Sequence, residues 1–354
     1  MEKWWRGRAA STVGRSAAWP SDNNRFNRGG PIHPAATLPG RDGTLRDVSR
    51  PGECVLTDPL QQSFESFVER AVSRPGQSRF AQVAGIRMHY LEWPGPAGAP
   101  ALLLLHRYLA HAQWWDFIAP WLAETHRVIA PDFGGMGDSG TRQHYEHAQF
   151  HDEIVGIAEA TGLGGCTAIG HSFGGRVLLY ACGMRPDLFA RAIVVDSRLG
   201  SAEDPVRGFD EEWRPKKRYP DAETIMSRFA LRPIEPAPAA ALRHMARASI
   251  RQDGGEWVWK FDENVTRLYQ RDRNAPGVDD TAALRGLQTP VDFIYGEESR
   301  VVTPARAALL ASCLPNVRSV TGLPCSHHHL PVSQPLALLG CLRVLLQLPP
   351  GAAR

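Results

Sequence analysis

Gly170-His171-Ser172-Phe173-Gly174-Gly175 sits directly after a short apolar run, residues 165–170, and directly before a helical pattern, residues 174–184. A chain that turns at once from strand to helix forces the central residue into a strained backbone and lifts its side chain above the sheet. Small residues two before and two after that centre, here Gly170 and Gly174, let strand and helix pack closely. Ser172 then stands at a helix N-terminus, where backbone N–H groups without intrahelical partners favour developing negative charge. G-x-S-x-G alone arises often by chance. Its place between strand and helix gives it chemical meaning.

Outward from this point the same alternation continues. Apolar runs of strand length recur at 101–105, 127–131, 191–196, 290–295 and 317–321. Helical patterns lie between and beyond them, at 113–124, 144–161, 304–313 and 334–348. Short strands alternating with helices predict an α/β chain with a doubly wound, mostly parallel sheet. Residues 80–93 read as two more strands with a turn at Gly85, an antiparallel addition that such sheets often carry. From 199 to 287 no strand is evident. Residues 221–230 and 238–250 look helical there, punctuated by Pro215, Pro220, Pro233, Pro236 and Pro238. An insert of this size after the sixth strand must fold over the sheet as a helical cap. The expected domains are a core of residues 79–198 and 288–348, a cap of 199–287, and an N-terminal extension of 1–78.

That extension differs in composition. Its first fifty residues carry nine Lys/Arg against four Asp/Glu, with Gly, Pro, Ser and Asn interrupting every period. The expectation is a basic, largely disordered segment, relieved by a short amphipathic helix over Gln62–Val72 with Phe64, Phe67 and Val68 on one side. The start has no continuous apolar stretch of signal-peptide type.

Over the whole chain of 354 residues, 43% are hydrophobic and 22% charged, and 40 basic against 37 acidic residues leave a net charge of +3. This is ordinary globular composition, with no positive reason to expect nucleic acid and no apolar run long enough to span a bilayer. Cys54, Cys166, Cys182, Cys313, Cys325 and Cys341 are scattered without C-x-x-C spacing, against zinc ribbons and redox motifs. A reducing, cytoplasmic location is the simpler expectation. Neither a G-x-G-x-x-G after a strand nor a P-loop lysine motif occurs, so no nucleotide cofactor is indicated.

A serine nucleophile needs a base, and the base needs an acid to orient it. Downstream, Pro324-Cys-Ser-His-His-His-Leu-Pro-Val-Ser-Gln-Pro335 follows the last strand, where a loop returns histidines toward Ser172. The three adjacent histidines are not expected to form a metal site, because neighbouring side chains diverge and no carboxylate or cysteine pair stands at ligand spacing.

Taken together, Leu102-Leu-Leu-Leu-His-Arg-Tyr108, Ala130-Pro-Asp-Phe-Gly-Gly-Met-Gly-Asp-Ser139, Gly170–Gly175, Tyr295-Gly-Glu-Glu-Ser-Arg-Val-Val302 and His328-His-Leu-Pro-Val-Ser-Gln-Pro335 resemble the alpha/beta-hydrolase superfamily, in its capped esterase-like members. The resemblance covers roughly residues 79–346. It implies that His328 is the base, that His327 stands where glycine is usual, and that His329 is a neighbour without a catalytic role. It also implies an oxyanion hole made by the N–H groups of Tyr108 and Phe173.

Two positions depart from that pattern. The usual His-Gly pair is His106-Arg107, which would be strained if the second residue needed positive φ; its cation would alternatively sit at the pocket rim and favour acidic substrates. The usual aspartate after the penultimate strand is Ser299. Glu298 and Asp196 are then equal candidates for the acid, with Glu297 behind them. Trp114, Trp115, Trp213, Trp257, Trp259 and Phe261 are candidates for an acyl pocket, though aromatic residues near a cap are more often core. The expectation is a cofactor-free serine hydrolase of small to medium carboxylic esters. The rival is a ligand sensor or binding protein that keeps a nearly inert pocket.

Overall fold

The computed structural model describes residues 58–200, 215–268 and 279–348. The expectation of disorder for the first fifty-odd residues lies outside the described residues, as does Trp213. Helix α1, Asp58–Val72, precedes the first strand. Its Phe64, Phe67, Val68 and Ala71 fall at helical spacing and are all buried, and Phe67 stacks on Trp121 at 5.3 Å between ring centroids. The folded chain therefore starts well before the boundary expected at residue 79. An apolar helix stripe of this width has to be covered, and the core covers it.

Eight strands form one sheet in the order β1-β2-β4-β3-β5-β6-β9-β10. These are β1 Gln77–Val83, β2 Ile86–Trp93, β3 Ala101–Leu105, β4 Arg127–Pro131, β5 Cys166–His171, β6 Phe189–Val195, β9 Val291–Gly296 and β10 Val317–Leu323. β1 and β2 pair antiparallel, and β2 joins β4 antiparallel. Every other pairing is parallel. The sequence expectation of a mostly parallel, doubly wound sheet with an antiparallel hairpin at one edge matches this arrangement. The central strands bury both faces, which is why β3 reads Ala-Leu-Leu-Leu-Leu with no polar alternation.

Helices cover both faces. α3, His147–Ala160, and α4, Phe173–Met184, pack together on one side. The helical pattern expected as one piece over 113–124 is two short ones, a 3-10 turn Ala112–Trp115 and α2, Ala119–Leu122. Pro120 explains the break, since proline suits the first turn of a new helix and not the middle of an old one.

Between β6 and β9 lie α5, Ala222–Met226, and α6, Ala239–Ala248. Against the expectation of no strand in this interval, an antiparallel hairpin follows, β7 Ile250–Asp253 and β8 Glu256–Trp259, turning at Gly254-Gly255. Its Glu-Trp-Val-Trp alternates with too few residues to announce a strand in isolation. This interval touches the loops at the C-terminal ends of the parallel strands. His111 Nε2 meets Ser249 Oγ at 2.9 Å, Tyr108 Oη donates to the Val265 carbonyl at 2.9 Å, and Gly137 N donates to the Lys260 carbonyl at 2.8 Å.

Among the described residues no helix is long and apolar enough to cross a membrane. Cys166 and Cys182 are buried, and burial pushes each thiol up to about 12, which makes them inert space-fillers.

Candidate active site

The chain order reverses around β3, with β4 on one side and β5 on the other. In open α/β sheets the crevice outside the strand ends at such a point is where ligands bind. The loops after β3 and β5 meet there.

Ser172 follows the last residue of β5 and caps α4, with φ 54° and ψ −117°. A non-glycine residue there stores about 1–3 kcal/mol of strain, which the surroundings hold in place. Ser172 N donates to the Val195 carbonyl at 2.9 Å. The flanking glycines are required by close approach. A Cβ on Gly174 would come within 2.6 Å of the Leu105 and His106 carbonyls, and one on Gly170 within 2.5 Å of the Gly174 carbonyl. The helix is thus pressed onto the ends of β3 and β5.

β5 and β6 run parallel with His171 opposite Val195, so the next residues, Ser172 and Asp196, follow side by side at the C-terminal ends of these two strands. Asp196 also has positive φ, 43°. Its carboxylate takes three donors: His328 Nδ1 at 2.7 Å, Ser299 Oγ at 2.8 Å and Gly296 N at 2.9 Å. Asp196 and His328 are 1% and 3% exposed. Burial pushes the Asp196 carboxyl up to about 7, against the pull of its Gly296 and Ser299 hydrogen bonds. Burial also lowers His328 well below the usual imidazole range, helped by the Arg107 cation. His328 is therefore neutral at neutral pH, with Nδ1 committed to Asp196.

The geometry separates the two acids that sequence left equal. Glu298 turns to solvent and pairs with His327 Nε2 at 3.5 Å, lining a cleft of about 260 Å³ with Pro233, Arg300 and His327. The carboxylate bonded to His328 is that of Asp196. Ser299, at the position where an acid was expected, accepts N–H groups from Val301 and Val302 at 3.1 and 3.2 Å, which aims its own proton at Asp196.

In the loop after β3, Arg107 does not have positive φ; the left-handed residue is Leu109, at 54°. The strain expected at Arg107 is displaced two residues along, so a side chain is tolerated. Its guanidinium donates to the Arg232 carbonyl at 3.1 Å and lies 5.5 Å from the Trp114 ring centre. His106, buried, presents Nδ1 to the Arg107 carbonyl at 2.6 Å and accepts Phe133 N at 3.1 Å, bracing the loop against the end of β4. The rings of Tyr108 and Phe173 touch edge to face at 5.8 Å, which brings the two expected oxyanion residues together. Phe173 is the first residue of α4, where an N–H has no acceptor within the helix. Asp132 serves structure: it accepts Ala112 N, Asp138 N and His89 Nδ1. Of the candidate pocket aromatics, Trp115 is wholly buried core, whereas Trp114 faces the His329 ring at 6.0 Å.

One residue near the site carried no sequence signal. Glu235, between Pro233 and Pro236, accepts His328 N at 3.1 Å, His329 N at 2.7 Å and Ser333 Oγ at 3.0 Å. It ties the segment between β6 and β9 to the loop that carries His328. Burial raises its carboxyl above the usual range. Glu235→Ala is expected to lower kcat by about 10–100-fold with KM little changed, since a displacement of about 1 Å at a catalytic group costs that much. Glu235→Gln, which keeps acceptor oxygen, should recover most of it. Steady-state kinetics on an ester substrate decides; equal kcat in Glu235→Ala and wild type would show that the histidine loop holds itself.

Strained serine, buried histidine and carboxylate, in this chain order on this sheet, define a class of protein. Residues 100–332 match the sequence profile described as the alpha/beta hydrolase fold, more than half of the chain, and the chain belongs to that family. Among its relatives, 2-hydroxymuconate semialdehyde hydrolase of Pseudomonas putida is 27% identical over 212 residues, 58% of this chain and 72% of the relative. An esterase of Mycobacterium tuberculosis is 26% identical over 269 residues, 72% of this chain and 85% of the relative. The solved structure of E-2-(acetamidomethylene)succinate hydrolase has a TM-score of 0.65 at 22% identity, covering 77% of this chain and 99% of that one, a likeness of fold.

Proposed function

We propose that the chain is a serine hydrolase of small to medium carboxylic esters, with Ser172 as nucleophile, His328 as general base and Asp196 as the acid that orients it. The observation that carries this reading is the 2.7 Å hydrogen bond between Asp196 and His328 Nδ1, beside a serine held at φ 54° on the neighbouring strand. Ser172 Oγ attacks the ester carbonyl carbon as His328 Nε2 takes its proton, and the carbonyl π pair moves to oxygen. The N–H groups of Tyr108 and Phe173 receive that oxyanion, where a single lost donor typically costs about 100–1,000-fold. Collapse breaks the bond to the alcohol oxygen, which leaves with the proton from His328. Water then attacks the acyl group, His328 again takes the proton, and the carboxylic acid departs as Ser172 is restored. Asp196 accepts Nδ1–H throughout and stabilises the transient imidazolium. The interval between β6 and β9 acts as the cap that limits water over the site. The cycle uses side chains and water alone.

Esterase and semialdehyde-hydrolase relatives support the class and leave the acyl group open. Arg107 supplies a preference. Its cation is close enough to lower His328, His329 and His171, so it favours esters that carry a second carboxylate. Arg107→Ala is expected to reduce kcat/KM for a hemisuccinate ester by about 10-fold more than for the matching neutral ester, the scale of a partly exposed charge contact. Unchanged relative rates would refute the preference. The proposal as a whole is tested by hydrolysis of p-nitrophenyl acetate and butyrate with fluorophosphonate labelling of the folded protein.

A further inference from the structure

His171 ends β5, and His328 and His329 lie in the loop before the short helix Leu330–Ser333. The strand and the loop bring one ring nitrogen from each of the three within 4.8 Å of one another. All three are buried, at 0%, 3% and 0% exposure. Their rings meet at tilted and edge-on angles, with centroids 5.1 Å apart for His171–His328, 4.8 Å for His328–His329 and 6.3 Å for His171–His329. The divergence expected of neighbouring side chains is overcome because His171 enters from a different element and closes the triangle.

Only some of their nitrogens are spent on the protein. His171 Nε2 donates to the His328 carbonyl at 2.8 Å, but its Nδ1 is buried without a hydrogen-bond partner. Neither nitrogen of His329 meets hydrogen-bond geometry with a protein partner; the nearby Arg232 carbonyl, which also accepts the Arg107 guanidinium, pulls the imidazole upward against burial. Buried polar atoms without partners are rare enough that a group of three in one place calls for a ligand. His328 has its Nδ1 on Asp196. A carboxylate behind an imidazole is the arrangement that orients metal-binding histidines and raises their basicity.

The other cluster with ligand spacing among the described residues, His89, Asp132 and Asp138, shows the contrast. There Asp132 is filled by Ala112 N, Asp138 N and His89, while His89 Nε2 meets Ser78 and Asp138 meets Lys260. The Asp132 carboxylate and both His89 nitrogens are already bonded within the protein, and a lysine ammonium occupies the Asp138 side.

We propose that His171, His328 and His329 form a binding site for a divalent transition ion, zinc(II) or copper(II), and that occupancy switches the enzyme off by taking the Nε2 lone pair that His328 uses as a base. Three neutral imidazoles suit borderline ions and not magnesium or calcium, which need oxygen ligands. Nitrogens on a tetrahedral zinc stand about 3.3 Å apart, given Zn–N near 2.0–2.1 Å, so rotation of His329 toward the other two rings completes the set. Water fills the fourth position. The Arg107 cation works against the ion, which makes the site modest in affinity and reversible. The inhibition arm rests on the esterase reading; the binding arm does not.

The experiment is zinc chloride titration in two readouts. Calorimetry on Ser172→Ala is expected to show one equivalent bound, with affinity lower by at least 10-fold in Ser172→Ala carrying His329→Phe, a ring that keeps the contact with Trp114. In turnover assays of p-nitrophenyl butyrate, zinc is expected to inhibit wild type, EDTA to reverse it, and His329→Phe to raise the half-inhibitory concentration at least 10-fold over its own basal rate, with magnesium inert. If His329→Phe misfolds, His171→Asn provides the same comparison. Zinc affinity unchanged in both histidine variants overturns the site, as does inhibition that instead disappears with the exposed Cys325→Ser. Absence of ester turnover with intact calorimetric binding would refute the esterase reading and leave the metal site standing.

Discussion

Ser172→Ala is expected to lower turnover of p-nitrophenyl butyrate by about 10⁴–10⁶-fold and to abolish fluorophosphonate labelling, as loss of the nucleophile does in a coupled triad. The residue is half-buried at the tip of a turn whose strain has no use in packing. Its removal should leave the fold intact, because an alanine fits the same space and the neighbouring contacts belong to glycines 170 and 174. Circular dichroism and unfolding midpoints should therefore match wild type while rate and labelling collapse together. A folded wild-type protein with neither turnover nor labelling would overturn the esterase reading and leave a pocket that binds without reacting.

Asp196→Asn is expected to cost about 10³–10⁴ in kcat, the scale seen when the orienting acid of a serine triad becomes an amide. Asparagine keeps the shape but offers its N–H₂ or a weaker acceptor to His328 Nδ1, which destabilises the imidazolium and favours the wrong tautomer. Glu298→Gln should change the rate by no more than about 2-fold, as for an exposed side chain away from the chemistry. The reverse ranking would return the acid to Glu298. Ionisation adds a second signature. Burial pushes Asp196 up to about 7, and the reaction needs its carboxylate form. As pH falls through neutrality Asp196 takes a proton and the rate drops; as pH rises above it the rate climbs to a plateau. His328 shares a hydrogen bond with this carboxyl, so the limb belongs to the pair. The acid limb of kcat/KM should thus lie near neutrality in wild type and be displaced in the residual activity of Asp196→Asn.

Most of the architecture was readable from local pattern. Five-residue apolar runs mark the central strands β3 and β4, because a strand buried on both faces has no polar alternation to preserve. The Gly170–Gly175 turn was readable because close helix–strand contact excludes any Cβ there. The β7–β8 hairpin was not, being two four-residue strands whose pairing comes from tertiary contacts. The break at Pro120 was missed because the apolar period continued across it.

The site divides along the same line. The sequence alone singles out Ser172 and His328, the proposed nucleophile and base, because each sits in a segment whose order of residues is dictated by local backbone geometry. Which carboxylate is bonded to His328, what stands at the vacated position and which side chains hold the histidine loop are visible only in the tertiary structure. Asp196, Ser299 and Glu235 come from three segments far apart in the chain, and they meet at His328 solely because β6, the end of β9 and the segment after α5 converge there. Hydrogen bonds across such separations leave no periodicity behind, so no reading along the chain can find them.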